Sequence, residues 1–212
     1  TLDGGALGEI TYECFNAAAA NITIKGVNIH PGLSKNQMKN AILIAHEFLG
    51  MLPAAETPGH TENYEGYYHV IDFTGGVELT KMRFYLRDHD KAKFALRKER
   101  IEETASYLNK FYGAGTVEVE ITDTYGNMSE MILPHFEIVE AIESAMKSVG
   151  VTPFYVPMRG GTDGAQLSFM GVPCPNICTG GHNFHGRYEY VPVQSMEKIS
   201  AVLVEIVKSF VK

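Results

Sequence analysis

Two histidines, His182 and His185, stand among glycines in the stretch GGHNFHGRYE. Imidazole is a common metal ligand. One imidazole cannot hold a catalytic zinc, which takes about three protein ligands and a water. Two further clusters set chemically capable side chains beside glycine: Asp3 in LDGG, and Arg159, Thr162 and Asp163 in MRGGTDGA. Glycine lets the backbone turn sharply or approach a ligand closely. Strand ends, where such turns fall, are where open α/β sheets place their sites. The same spacing also describes ordinary tight turns, and Asp163 also suits the cap of a following helix. On the residues alone both readings stand.

The elements that must position these clusters can be read from periodicity. EITYECFNAA and ANITIKGVNI alternate and are rich in strand formers, so they read as strands, or as one strand bent or bulged. HPGLSKNQMKNAILIAHEFLGML follows with Ser34 as an N-cap and an apolar face at Met38, Ala41, Ile42, Ala45 and Leu49, which predicts a helix. PAAETPGHTENYEG is a loop of turn formers and acids. YYHVIDFTGG and VELTKMRFYLRDHD read as a hairpin, then a long helix closes on Gly113, and TVEVEITDTYG alternates as a strand. Helices on one face of this antiparallel sheet would bury both apolar stripes, an α+β unit of ferredoxin-like type. The tail is different. An amphipathic helix in LPHFEIVEAIESAMKSVG, short strands in TPFYVPM and CPNICTGG, a short helix in GTDGAQLSFMG and a closing helix predict part of a parallel α/β layer.

Composition narrows the function classes. The 212 residues are 45% hydrophobic and carry a formal charge of −7. That balance argues against nucleic acid, whose phosphates need a basic face. Cys14, Cys174 and Cys178 are odd in number and spread out, so they form no disulfide framework and fit a reducing cytoplasm. Cys174 and Cys178 lack further Cys or His at finger-like spacing and read as small buried residues. No apolar run approaches the ~20 residues of a membrane span, and no signal peptide is present, so no membrane partner is expected.

The segments TLDGGALGEITYECFNAA, GVNIHPG, ETPGHTENYEGYYHV and RGGTDGAQLSFMGVPCPNICTGGHNFHGRYE stand in this order across essentially the whole chain. Together they resemble the peptidase T family of tripeptide aminopeptidases. These are co-catalytic zinc metallopeptidases, a group that also includes acetylornithine-type deacylases. The resemblance implies an α/β fold with an inserted α+β lid. Residues 1–12 would be a segment of the catalytic domain, 13–122 the ferredoxin-like lid and dimerisation domain, and 123–212 the C-terminal part of the catalytic domain. It implies a tripeptide substrate, two zinc ions per full-length subunit, and a homodimer formed through the lid.

Roles follow position by position from the same resemblance. Asp3, in the DGG motif, matches a ligand of one zinc, and His185, in NFHG, a ligand of the other. His182 matches no ligand position. His30, in NIHPG, matches a lid histidine that reaches an active site across the dimer and stabilises the developing oxyanion. Arg87, in LRDHD, and Arg159, in MRGG, match residues that bind the substrate carboxylate. Without the resemblance His30 is a loop histidine, and Arg87 forms a surface ion pair with Asp88 or Asp90, worth little. His46, His60, His69, His89 and His135 have no partners that the sequence names. The family's His-x-Asp motif, bridging aspartate and Glu-Glu pair, which supply the other ligands and the general base, have no counterpart here. The chain, opening on TLDGGALGE, therefore reads as the C-terminal half of such an enzyme, inactive alone. A related dipeptidase or N-acyl amino acid deacylase, and a non-catalytic self-associating lid module, remain as alternatives.

Overall fold

The computed structural model describes residues 1–211. The chain forms two compact units: Asn16–Tyr125, and Thr1–Phe15 together with the stretch from Gly126 on. After β1 (Glu9–Thr11) the chain enters the first of these through β2 (Asn16–Lys25), α1 (Ala41–Gly50), β3 (Tyr67–Gly75), β4 (Leu79–Asp88), α2 (Lys91–Tyr112) and β5 (Val117–Tyr125). The four strands form one antiparallel sheet in the order β3-β4-β2-β5. This is the β-α-β-β-α-β arrangement of ferredoxin-like units.

Alternation explains which face is covered. Ala18, Ala20, Ile22 and Ile24 of β2 and Met82, Phe84 and Leu86 of β4 meet Ile44, Ala45 and Phe48 of α1 and Phe94, Ile101, Ala105 and Leu108 of α2. Successive strand residues point to opposite faces. Lys81, Arg83, Tyr85 and Arg87 therefore lie on the face away from the helices, where β4 is partly or fully exposed.

α1 starts later than the sequence predicts. Pro31–Leu33 is a 3-10 turn and Ser34 stands at its end, not at the start of a helix. Val27 and Lys39 exchange both backbone hydrogen bonds, at 2.8 and 3.0 Å, which holds the intervening residues in a loop. Asn36 within that loop has a φ of 60°, which no right-handed helix accepts. The helix begins only where the Asn40 side chain accepts from the Ile42 N–H. α2 ends as read, at Gly113 with φ 104°, and its start is capped by Asp90.

The second unit continues with α3 (Ser129–Ile132), α4 (Glu137–Ser148), β6 (Phe154–Tyr155), α5 (Asp163–Phe169), β7 (Asn176–Ile177) and α6 (Val193–Ser209). Its core joins Ile10 and Cys14 to Val139, Ile142 and Met146 of α4, Ala165, Ile177, and Ile199 and Val202 of α6. The sheet order is β6-β1-β7. β1 is parallel to β6 but antiparallel to β7, so this strand, which the sequence assigns with β2 to the ferredoxin-like unit, sits in the second unit's sheet, and that sheet is mixed where the tail predicts a parallel layer. The reason lies in the first residues. Leu2 runs parallel to Ile177, and the chain then reverses through Gly4, Gly5 and Gly8, all at positive φ, before β1 returns beside the same strand. Among the described residues no helix is long and apolar enough to cross a membrane.

A charged node pins the loop before β3. Arg97 of α2 donates from Nε to Asp88 at 2.8 Å and from Nη1 to Glu56, with its guanidinium 5.0 Å from the Tyr68 ring. The Glu56 carbonyl accepts from the Tyr68 N–H at 2.9 Å. Asp88 thus pairs with Arg97, not with its neighbour Arg87. Desolvation opposes the Arg97 charge, and its bonds to Asp88 and Glu56 more than offset this, leaving the guanidinium pKa above its ordinary value. The Asp88 side chain is 1% exposed, so removing its cation would strand a buried carboxylate. Arg97→Ala is expected to cost about 3–5 kcal/mol of stability in urea unfolding. A loss below about 1 kcal/mol would show that water reaches Asp88 once the arginine is gone.

Candidate functional site

The three glycine-flanked clusters converge on one segment of the second unit, residues 174–181. The first cluster lies along it. Ile177 N–H donates to the Thr1 carbonyl at 2.8 Å and Asp3 N–H to that of Ile177 at 3.0 Å; Thr179 and Gly180 donate to Gly4 and Gly5 at 2.6 and 3.1 Å. The second cluster is tied to it by a side chain. Thr162 Oγ1 donates to Asn176 Oδ1 at 3.0 Å and accepts from Gly164 N–H at 3.2 Å, which caps α5. The cap is therefore Thr162, and Asp163 is an exposed first-turn residue. The third cluster is the continuation of the segment itself.

Asn176 is the residue that sequence reasoning missed. It is 1% exposed, and Oδ1 accepts from Thr1 Oγ1 as well as from Thr162. Its signal was present: an amide inside an otherwise apolar strand must find partners when buried.

The histidine loop is held open by its own backbone. Asn183 and His185 both adopt left-handed φ, 58° and 60°. His182 and Tyr190 exchange backbone hydrogen bonds at 2.9 and 3.2 Å, and their rings stack at 5.1 Å. His185 N–H donates to the Glu189 carboxylate at 2.9 Å. Both imidazoles are exposed, as is Asp3. His182 is engaged by a neighbouring ring, and no ring contact engages His185 among the described residues.

Arg159 follows Met158, which is bridged to Cys14, and its guanidinium lies 5.1 Å from the buried Phe15 ring. His30 and Arg87 belong to the 16–125 unit. The exposed His30 caps the 3-10 turn, its Nδ1 accepting from Gly32 N–H at 3.2 Å. Arg87 donates from Nη1 to the carbonyls of Ala18 and Leu86 at 3.1 and 2.9 Å.

Two of the three thiols, Cys14 and Cys178, are buried and offer no competing chemistry. Burial pushes the Cys14 thiol up to about 11 and raises that of Cys178, so both are protonated near neutrality. Among the described residues no group of three or more His, Cys, Asp or Glu is placed to hold a metal ion. Asp3 and His185 are single donors on neighbouring segments. They do not by themselves make a zinc centre, which needs a larger ligand set.

The profile described as "Peptidase dimerisation domain" matches residues 12–116. The curated protein Peptidase T of Halothermothrix orenii is 54% identical over 99% of this chain and 52% of its own length. Peptidase T of Clostridium perfringens strain SM101 is 56% identical over the same shares. The chain thus spans about half the length of the curated relatives it matches. The crystal structure of aminopeptidase PepT from Bacillus cereus superposes with a TM-score of 0.80 at 23% identity, covering 97% of this chain and 55% of that one, a likeness of fold.

Close packing at the convergence point gives a direct test. A Cβ on Gly164 would stand 2.6 Å from the Cys174 carbonyl oxygen and 2.7 Å from Asn176 Oδ1, whereas one on Gly160 meets nothing within 4 Å. Gly164→Ala is expected to cost about 1–3 kcal/mol through overpacking, and Gly160→Ala to stay within about 0.5 kcal/mol. Denaturant unfolding of the two variants measures this. Equal stabilities would mean that α5 and the 174–181 segment are free to separate.

Proposed function

From the premise that this chain carries a peptidase dimerisation domain and is a relative of peptidase T over about half of that protein's length, we propose that it is part of a zinc-dependent aminopeptidase that releases the N-terminal residue from tripeptides. The observation that carries this reading is the 54% and 56% identity to proteins of that name, sustained across 99% of the chain. The enzyme is a cytoplasmic homodimer in this reading. Residues 16–125 act as its lid and dimerisation module, and the remainder as part of its catalytic layer.

Asp3 and His185 each contribute one donor, to two different zinc ions, and the rest of the ligand set and the general base come from elsewhere in the full-length enzyme. The hydrogen bonds between residues 1–5 and 177–180 support the pairing of these donors, since they bring the two segments side by side. His182 stacks on Tyr190 and stays outside the ligand set. Arg87 and Arg159 bind the free carboxylate of the peptide. A guanidinium suits that task because its planar fork meets both carboxylate oxygens with charge-assisted hydrogen bonds. His30 stabilises the oxyanion from the lid, and it does so in the partner's site.

The test compares the two histidines in the full-length enzyme. His185→Ala is expected to lose about one zinc per subunit together with nearly all tripeptide hydrolysis. His182→Ala is expected to keep its metal and to lose no more than about ten- to a hundredfold in activity. Metal analysis and hydrolysis of Met-Gly-Gly measure both. The reverse pattern would overturn the ligand assignment, and a preference for N-acyl amino acids over Met-Gly-Gly would move the enzyme to the deacylases. The 212-residue chain alone is expected to cleave no tripeptide. Cleavage at the full-length rate would contradict the division of the site between this chain and the rest.

A further inference from the structure

On the outer face of the 16–125 sheet the strand β2 reads NAAAAN, a run of residues with little strand preference. Ala18 and Ala20 face the helices, where small size suits the core. Ala17 and Ala19 face the other way and need a different reason. Ala17 is the cross-strand partner of both Arg87 on β4 and Tyr125 on β5, so the three form one row across the sheet. With only a methyl group between them, the Arg87 side chain lies across β2, its guanidinium 5.3 Å from the Tyr125 ring and 4.7 Å from that of Tyr85. Ala17 is fully buried, although α1 and α2 pack on the other face.

Tyr125 reaches this face through an irregularity in pairing. Val117, Val119 and Ile121 point toward the helices, and Asp123 meets Lys98 of α2 at 2.9 Å. Strict alternation would send Tyr125 the same way. Instead Ala18 pairs with Asp123 and Ala17 with Tyr125, leaving Thr124 as an extra residue whose Oγ1 donates to the Ala17 carbonyl at 3.1 Å. Such bulges re-aim a side chain, and this one sets an aromatic ring beside Arg87. The guanidinium is thus fixed in two ways. Its Nη1 is anchored on the Ala18 and Leu86 carbonyls, and two rings flank it. Among the described residues no carboxylate pairs with Arg87, and no acceptor takes its Nε or Nη2 hydrogens.

We propose that Tyr85, Tyr125 and the small Ala17 are positioning residues that hold the Arg87 guanidinium with Nε and Nη2 presented to the terminal carboxylate of a peptide, so that this sheet face as a unit sets the preference for a free carboxylate. This rests on the reading of Arg87 as a carboxylate-binding residue. A flexible arginine would lose orientational freedom at each binding event, whereas one already clamped loses little.

The experiment measures kcat/KM of the full-length enzyme for a tripeptide and for its C-terminal amide. Tyr125→Leu and, independently, Tyr85→Leu are expected to lower the acid-over-amide preference by about three- to tenfold, the effect of a lost ring–cation contact. The change should appear in KM, with kcat within about twofold and amide hydrolysis unchanged. Tyr125→Phe should retain the preference, because the ring and not the hydroxyl does the positioning. Ala17→Leu should reproduce the loss by filling the space Arg87 occupies. If Arg87→Ala abolishes the preference while both leucine variants at the tyrosines keep it, the positioning role is overturned and the carboxylate reading stands. If Arg87→Ala leaves the preference intact, the carboxylate reading itself fails. Should one tyrosine variant not fold, the other carries the same comparison.

Discussion

Four backbone hydrogen bonds join residues 1–5 to residues 177–180, and the geometry of the candidate site hangs on them. A buried backbone N–H or carbonyl left without a partner is costly. Each segment satisfies the other. The reversal at Gly4, Gly5 and Gly8 then returns the chain as β1 on the other side of β7, which is why the small sheet is mixed. One consequence is chemical. Asp3 and the histidine loop, about 180 residues apart in sequence, leave from neighbouring points of one framework. Asn176 extends that framework to Thr162 and hence to the start of α5.

The 16–125 unit solves a separate problem. Its two helices cover one sheet face and form a core from Ile22, Phe48, Phe84, Ile101 and Leu108, all nearly or fully buried. Stability can then come from that side and from the Arg97 node with Asp88 and Glu56. The opposite face, free of those two helices, carries Arg83, Tyr85 and Arg87 on β4, with Ala19 and Ala17 of β2 opposite the last two. A residue pattern that is poor for a strand is tolerated where it makes room for an arginine.

Periodicity made most of the elements legible. The alternation in β2, β4 and β5 and the Gly113 end of α2 were local signals, and local signals survive in sequence. What failed was decided by distant partners. The start of α1 was set by the exchange of bonds between Val27 and Lys39, so Asn40 rather than Ser34 became the cap. The direction of β7 was set by the reversal at the N-terminal glycines. Asp88 chose Arg97, nine residues on, over its neighbour Arg87. The bulge at Thr124 has no composition of its own, and only the pairing with Ala17 and Ala18 reveals it. For the site, the glycine-flanked clusters were visible in the sequence, but their convergence on residues 174–181 required the fold, and the anchoring role of Asn176 was not anticipated.

The central claim is that Asp3 and His185 are donors to two zinc ions held in one framework, and zinc-edge anomalous diffraction from crystals of the full-length enzyme tests it most directly. Two peaks per subunit are expected. The Asp3 carboxylate should lie about 2.0–2.2 Å from one and a ring nitrogen of His185 about 2.0–2.1 Å from the other, with His182 beyond bonding distance. Peaks that neither residue touches, or a peak bound by His182 in place of His185, would contradict the account.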